Sequence, residues 1–82
     1  SRHSCTVTFR TQADADLFRT SARINVVGSP VSEKHASVTI QSEDPEQTMA
    51  LIIRILSETG LVPLRVETVE PKLEDIFLEV IR

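Results

Sequence analysis

Residues 44–60 read DPEQTMALIIRILSETG, and this stretch predicts an amphipathic α-helix with both ends marked. Asp44 is a helix N-cap residue, Pro45 suits the first helical position, and Gly60 suits the C-terminal stop. Apolar side chains recur every three or four residues, as expected of a helix that packs on a sheet. They are Met49, Leu51, Ile52, Ile53, Ile55 and Leu56. Because they span about half of the circumference at ~100° per residue, we expect this helix to be covered on two sides.

Alternating apolar and polar residues on either side of this helix predict β-strands. Residues 5–11 and 36–41 show the clearest alternation, and residues 61–66 show it again. Residues 25–31 hold valines together with Pro30 and predict a short, irregular edge strand. A polar turn is expected at 32–35. The inner residues expected in the last strand are Val62, Leu64 and Val66.

Two further helices complete the pattern. Residues 13–24 predict a weaker helix with Leu17 and Phe18, and residues 72–82 predict a terminal helix. The order is β-α-β-β-α-β-α, which predicts an α+β fold: a ferredoxin-like βαββαβ two-layer sandwich with an extra C-terminal helix. One face of the sheet is expected to be polar and open. It would carry Thr6, Thr8, Arg10, Ser37, Thr39 and Gln41.

Length and composition bound the functional classes. Eighty-two residues allow one small domain, and 26% charged residues with a net charge of −3 are ordinary for a folded globular chain. The acidic balance argues against a nucleic-acid-binding domain, and no apolar run approaches a membrane span. Met49 is the only methionine. We therefore expect residues 1–82 to be a single domain cut from a larger protein.

Few side chains suggest catalysis or metal binding. The two glycines are too isolated for a phosphate-binding loop. His3, expected near a frayed terminus, and His35, expected in a turn, lack neighbouring ligands, so both are interpreted as solvated surface residues. Cys5 alternates with polar neighbours on a strand and is expected to be a buried, unreactive thiol. We therefore predict no catalytic, cofactor or metal site.

The charged and polar clusters admit simple structural explanations. Asp44 and its acidic neighbours, like Glu74 and Asp75, are expected to complement helix N-termini. Arg19 and Arg23 lie four residues apart and are expected to form a solvated helix face. The open sheet face has no aromatic residue on which bases could stack, which argues against RNA binding.

The C-terminal stretch resembles a known family signature. Residues 70–79 read EPKLEDIFLE, similar to the closing signature of ABC transporter ATP-binding subunits of the ABC-2 export type. The matching residues are Pro71, Leu73, Glu74, Asp75, Ile76, Phe77 and Leu78. The family usually has a hydroxyl residue where this chain has Lys72, which cannot accept a hydrogen bond from the helix amides. The order of the preceding elements is also similar.

The resemblance implies a non-catalytic accessory domain. ATP, Mg²⁺ and the catalytic motifs would belong to a nucleotide-binding domain upstream of this chain, and no cofactor is expected within it. The implied partners are that domain and a second ATPase subunit, with indirect contact to transmembrane permease subunits. The resemblance also implies a cytoplasmic location at the inner face of the membrane, without direct membrane insertion.

One signature residue is predicted to contact a partner. On the terminal helix, Leu73, Ile76 and Phe77 fall on one arc, whereas Leu78 lies between Glu74 and Arg82. Leu78 is therefore the candidate partner contact, while Phe77 is expected in the core. A ligand-sensing ferredoxin-like domain of the ACT type remains the alternative, although no glycine pattern typical of its ligand loop is present.

Overall fold

The computed structural model describes residues 3–25 and 31–69, which form a small α+β domain. Within these ranges an antiparallel sheet lies beside two helices. The elements are β1 (His3–Thr8), α1 (Gln12–Asn25), β2 (Val31–Lys34), β3 (Ser37–Ser42), α2 (Pro45–Thr59) and β4 (Arg65–Val69). The predicted terminal helix at 72–82 lies outside the described residues.

The described strands are arranged in the order β2-β3-β1-β4, and every neighbouring pair is antiparallel. β1 is central, so Val7 pairs with Val38 of β3 and with Val66 of β4. Both helices contact β1 or β3 on one face of the sheet. The other face carries the polar residues that alternate with the apolar ones along the strands.

The core lies between the helices and the side chains on the inner face of the sheet. The aromatic rings of Phe9 and Phe18 join the strand and helix contributions to the core. The buried apolar side chains are Cys5, Val7, Phe9, Ala15, Phe18, Ala22, Val38, Ile40, Ile52 and Ile55. Leu17, predicted as one of the apolar residues of the first helix, is instead 50% exposed.

Helix α2 follows the prediction from 44–60 closely. The Asp44 carboxylate accepts a hydrogen bond from the Gln47 amide at 3.1 Å, and Pro45 opens the helix. Gly60 adopts φ +74° at the end, and its amide donates to the Leu56 carbonyl at 2.9 Å. The side chain that most changes the predicted stripe is Ile53, which is 60% exposed.

The bounds predicted for the two outer strands are wrong. β2 (Val31–Lys34) contains the last residue of the predicted strand and most of the predicted polar turn, whereas residues 26–30 of the predicted strand lie outside the described residues. The turn contains only His35 and Ala36, and His35 has φ +57°. Because this conformation reverses the chain in two residues, pairing extends to Lys34 and Ser37.

The last strand is displaced toward the C-terminus. β4 starts at Arg65 rather than at residue 61, and Val62 and Leu64 are 80% and 59% exposed instead of buried. Pro63 has no N–H group for a ladder. Pairing with β1 begins only where the Leu64 amide donates to the Thr8 carbonyl at 2.8 Å.

Candidate interaction surfaces

The family-like signature falls on residues that the structure does not describe. Description ends at Val69, immediately before the stretch 70–79. Leu78 as partner contact and Phe77 as core residue therefore stay predictions. The signature residues outside the described ranges are Pro71, Leu73, Glu74, Asp75, Ile76, Phe77 and Leu78.

The two histidines and the cysteine lie in three different environments. His3 is not at a frayed end but in β1, half-buried, with its Nδ1 atom lacking a hydrogen-bond partner among described residues. His35 is exposed in the β2–β3 turn, as predicted. Cys5 is buried on the core face, with Sγ 3.7 Å from Thr68 Oγ1. Within residues 3–25 and 31–69, no three potential ligands cluster to hold a metal ion.

Two of the charged residues singled out in the sequence, Asp44 and Arg19, have local partners. Asp44 caps α2, as the sequence indicated, and Glu43 beside it is exposed. Arg19 lies 3.8 Å from the Asp16 carboxylate on α1, one turn away. Arg23 is exposed on the same helix. The second acidic pair, at positions 74 and 75, lies beyond the described residues.

The open face of the sheet presents hydroxyl groups that bond to one another across strands. Thr6 Oγ1 and Thr39 Oγ1 lie 2.9 Å apart, and Thr8 Oγ1 and Ser37 Oγ are also 2.9 Å apart. This confirms the predicted polar face. Since each hydroxyl already has a protein partner, these four groups stabilise the β1–β3 pairing and do not by themselves suggest a binding site.

Exposed apolar side chains are concentrated near β4. Of the five large ones among the described residues, three lie within residues 62–69: Val62, Leu64 and Val69, with Val69 50% exposed. Arg65 and Glu67 alternate with Leu64 along this edge, and their side chains form an ion pair at 3.6 Å. The edge of the sheet at β4 is therefore both apolar and charged.

Sequence reasoning missed this edge because its strand was placed four residues too early. The signal that could have found it is the alternation in residues 64–69, in which charged Arg65 and Glu67 lie on either side of Val66. Thr48 was also missed as a core residue. It is 7% exposed, and its hydroxyl donates to the Asp44 carbonyl at 3.1 Å, which satisfies the buried polar group within the first turn of α2.

Comparison with known proteins adds no relative: no family model, curated protein or solved structure matches the chain. Within residues 3–25 and 31–69, neither helix has the length and apolar character needed to cross a bilayer.

Proposed function

We propose that this chain is the non-catalytic accessory domain of an ABC transporter ATP-binding subunit of the export type. The observation that carries the proposal is the stretch 70–79, EPKLEDIFLE, which directly follows β4. The strand order β2-β3-β1-β4, with α1 and α2 on one face, supports a ferredoxin-like arrangement for the part that precedes it. A similar order of elements precedes the signature in the family that the chain resembles.

In this role the domain modulates or stabilises the ATPase through contacts. Its partners are the nucleotide-binding domain of the same subunit and a second ATPase subunit. ATP and Mg²⁺ act in the nucleotide-binding domain upstream. The permease subunits hold the complex at the inner face of the membrane, so that this domain works in the cytoplasm. The role needs no reactive side chain of its own, and four hydroxyl groups of the open sheet face are paired with one another across β1 and β3.

The absence of a glycine-rich loop from the sequence leads us to expect no nucleotide binding by the 82-residue chain. Titration calorimetry with Mg-ATP is expected to give no heat of binding. A micromolar affinity, about −8 kcal/mol, would contradict the non-catalytic role. Circular dichroism should first verify that the chain used for calorimetry is folded.

Leu78→Glu tests the contact role. The substitution is expected to leave the melting temperature of the 82-residue chain nearly unchanged, because the helical wheel places Leu78 outside the apolar arc. In the full-length subunit it should weaken self-association or change the rate of ATP hydrolysis. Phe77→Ala is the matched comparison. Because Phe77 is a predicted core residue, its truncation should unfold the 82-residue chain itself, unlike Leu78→Glu. An unfolded Leu78→Glu chain would place Leu78 in the core, and unchanged full-length activity and association would contradict the contact.

A further inference from the structure

We propose that the outer edge of β4 pairs in antiparallel orientation with β4 of a second copy of this chain. β4 (Arg65–Val69) is the last strand in the sheet order, and within the described ranges no strand pairs with its outer side. Unpaired N–H and C=O groups on such an edge are a template for another strand. Pairing of two copies about a two-fold axis would join both sheets into one.

The hydrogen bonds at the end of β1 establish which residues direct their backbone N–H and C=O groups to β3 and which direct them to β4. The Phe9 amide donates to the Ala36 carbonyl at 2.8 Å, on the β3 side of β1. Backbone groups alternate between the two sides of a strand, so Thr8 directs its groups to β4. The Leu64 amide donates to the Thr8 carbonyl at 2.8 Å, in agreement with that direction.

The same alternation identifies the outward groups of β4. Arg65 pairs with Thr8, and Glu67 pairs with the residue two positions earlier on β1. The backbone groups of Arg65 and Glu67 therefore face β1. Those of Val66 and Thr68 face outward, where a second strand can accept and donate hydrogen bonds.

Only certain registers use these outward groups. In the register centred on Val66, each Val66 exchanges two backbone hydrogen bonds with Val66 of the second copy. Arg65 then lies opposite Glu67 of the second copy, and Glu67 lies opposite Arg65. These residues form the non-hydrogen-bonded pairs of the ladder, in which side chains approach most closely. The charges of β4 are thus complementary to a second β4.

Charge also excludes the neighbouring register. Centring the pair on Glu67 would place Glu67 opposite Glu67 of the second copy and Arg65 opposite Val69. Like charges directly opposite one another are destabilising. The charges of β4 therefore favour the register centred on Val66 over the register centred on Glu67.

The side chains involved are accessible in the single chain. The Arg65 and Glu67 side chains are 67% and 44% exposed and pair with each other at 3.6 Å, so each can turn to a partner across the edge. Edges that avoid self-association commonly carry repeated Lys or inward-pointing charges. This edge carries opposite charges in a self-complementary order.

Charge reversal at the edge tests the proposal in the full 82-residue chain. Sedimentation equilibrium between about 1 μM and 1 mM is expected to show a species of twice 9.1 kDa at the upper concentrations. Arg65→Glu and Glu67→Arg each turn two attractive pairs into two repulsive ones, so each should raise the dimer Kd roughly tenfold or more. The double variant, Arg65→Glu with Glu67→Arg, should restore the parental Kd.

Mixing the two single variants gives the sharpest result. An Arg65→Glu chain opposite a Glu67→Arg chain has only complementary pairs, so an equimolar mixture should dimerise more tightly than either variant does alone. Glu58→Arg is the matched control, because it makes the same charge change at an exposed site on α2. It should leave the Kd unchanged. Circular dichroism of every variant verifies that the fold is retained.

Three outcomes would overturn the edge pairing. A parental chain that stays at 9.1 kDa up to the highest concentration would show that the edge is not used, for example because residues 70–82 cover it. Single variants that dimerise like the parent, or a mixture that does not dimerise, would assign self-association to another surface. The inference gives the proposed function a surface for its second subunit. The dimer measurement does not involve the ATPase. Edge pairing can therefore be disproved while the transporter assignment stands, and the transporter assignment can be disproved while edge pairing stands.

Discussion

The ring of Phe9 lies against the ring of Phe18, with centroids 5.3 Å apart and planes inclined at 46°. Phe9 follows β1 and Phe18 lies in the middle of α1, and both are buried. This tilted contact joins the first strand to the first helix at the centre of the core. Offset and tilted ring pairs add to the stabilisation that their buried area supplies.

Phe18→Ala should therefore destabilise the domain strongly. Loss of a buried phenylalanine costs about 3–5 kcal/mol, a large share of the stability of a domain of this size. We expect a fall of more than about 10 °C in the melting temperature, measured by circular dichroism. Leu17→Ala on the adjacent, half-exposed position should give a much smaller shift. Equal shifts for the two variants would contradict the assigned helix face.

The N-cap of α2 gives a second prediction. Asp44→Ala removes the carboxylate that accepts the Gln47 amide at 3.1 Å, and such losses cost about 1 kcal/mol. The melting temperature should fall by roughly 4–8 °C in a domain of this length. Asp44→Asn keeps an acceptor at the cap and should retain most of the stability. If Ala and Asn variants melt together, the cap hydrogen bond does not contribute.

Gly60 tests the other end of α2. It has φ +74°, and a Cβ atom built there meets no heavy atom within 4 Å. The cost of Gly60→Ala should thus be conformational, about 1–2 kcal/mol, without steric clash. Gly60→Asn should cost less because asparagine adopts this conformation more readily. Chemical denaturation of the three chains measures the difference. An alanine variant as stable as the parent would contradict a left-handed helix end.

Helix α2 was predictable because its signals are local. Asp44, Pro45 and Gly60 mark its ends within a single stretch, and the hydrogen bonds that they make close within one helical turn. The period-two patterns of β1 and β3 were equally readable. In both strands the inner residues predicted from alternation, such as Val7 and Val38, are buried.

The outer strands were not predictable in the same way, since their bounds depend on distant partners. Val62 and Leu64 alternate as strand residues do. β4 nevertheless begins only after Pro63, where the chain first pairs with Thr8 of β1. The bounds of β2 depend on a two-residue turn at His35, which has a positive φ that is uncommon for any residue other than glycine. The edge surface at β4 was missed for this reason.

Phe77→Ala tests the prediction for the terminal segment. Phe77 is central to the apolar arc of residues 72–82, and a docked helix would lose about 3–5 kcal/mol on its truncation. The 82-residue chain should then unfold or melt at a much lower temperature. Lys72→Ala, a change at the start of the same segment, serves as the control. A melting temperature unchanged within about 2 °C would show that Phe77 is not part of the core.

The measurement that most directly tests the assignment to an ABC exporter is the nucleotide sequence of the reading frame that encodes these 82 residues. We expect the ~200–250 codons upstream of Ser1, roughly one or two domain lengths, to encode a Walker A loop and an ABC signature in the same frame. A frame that instead encodes a biosynthetic enzyme or a transcription factor would contradict the proposed function and favour a ligand-sensing domain.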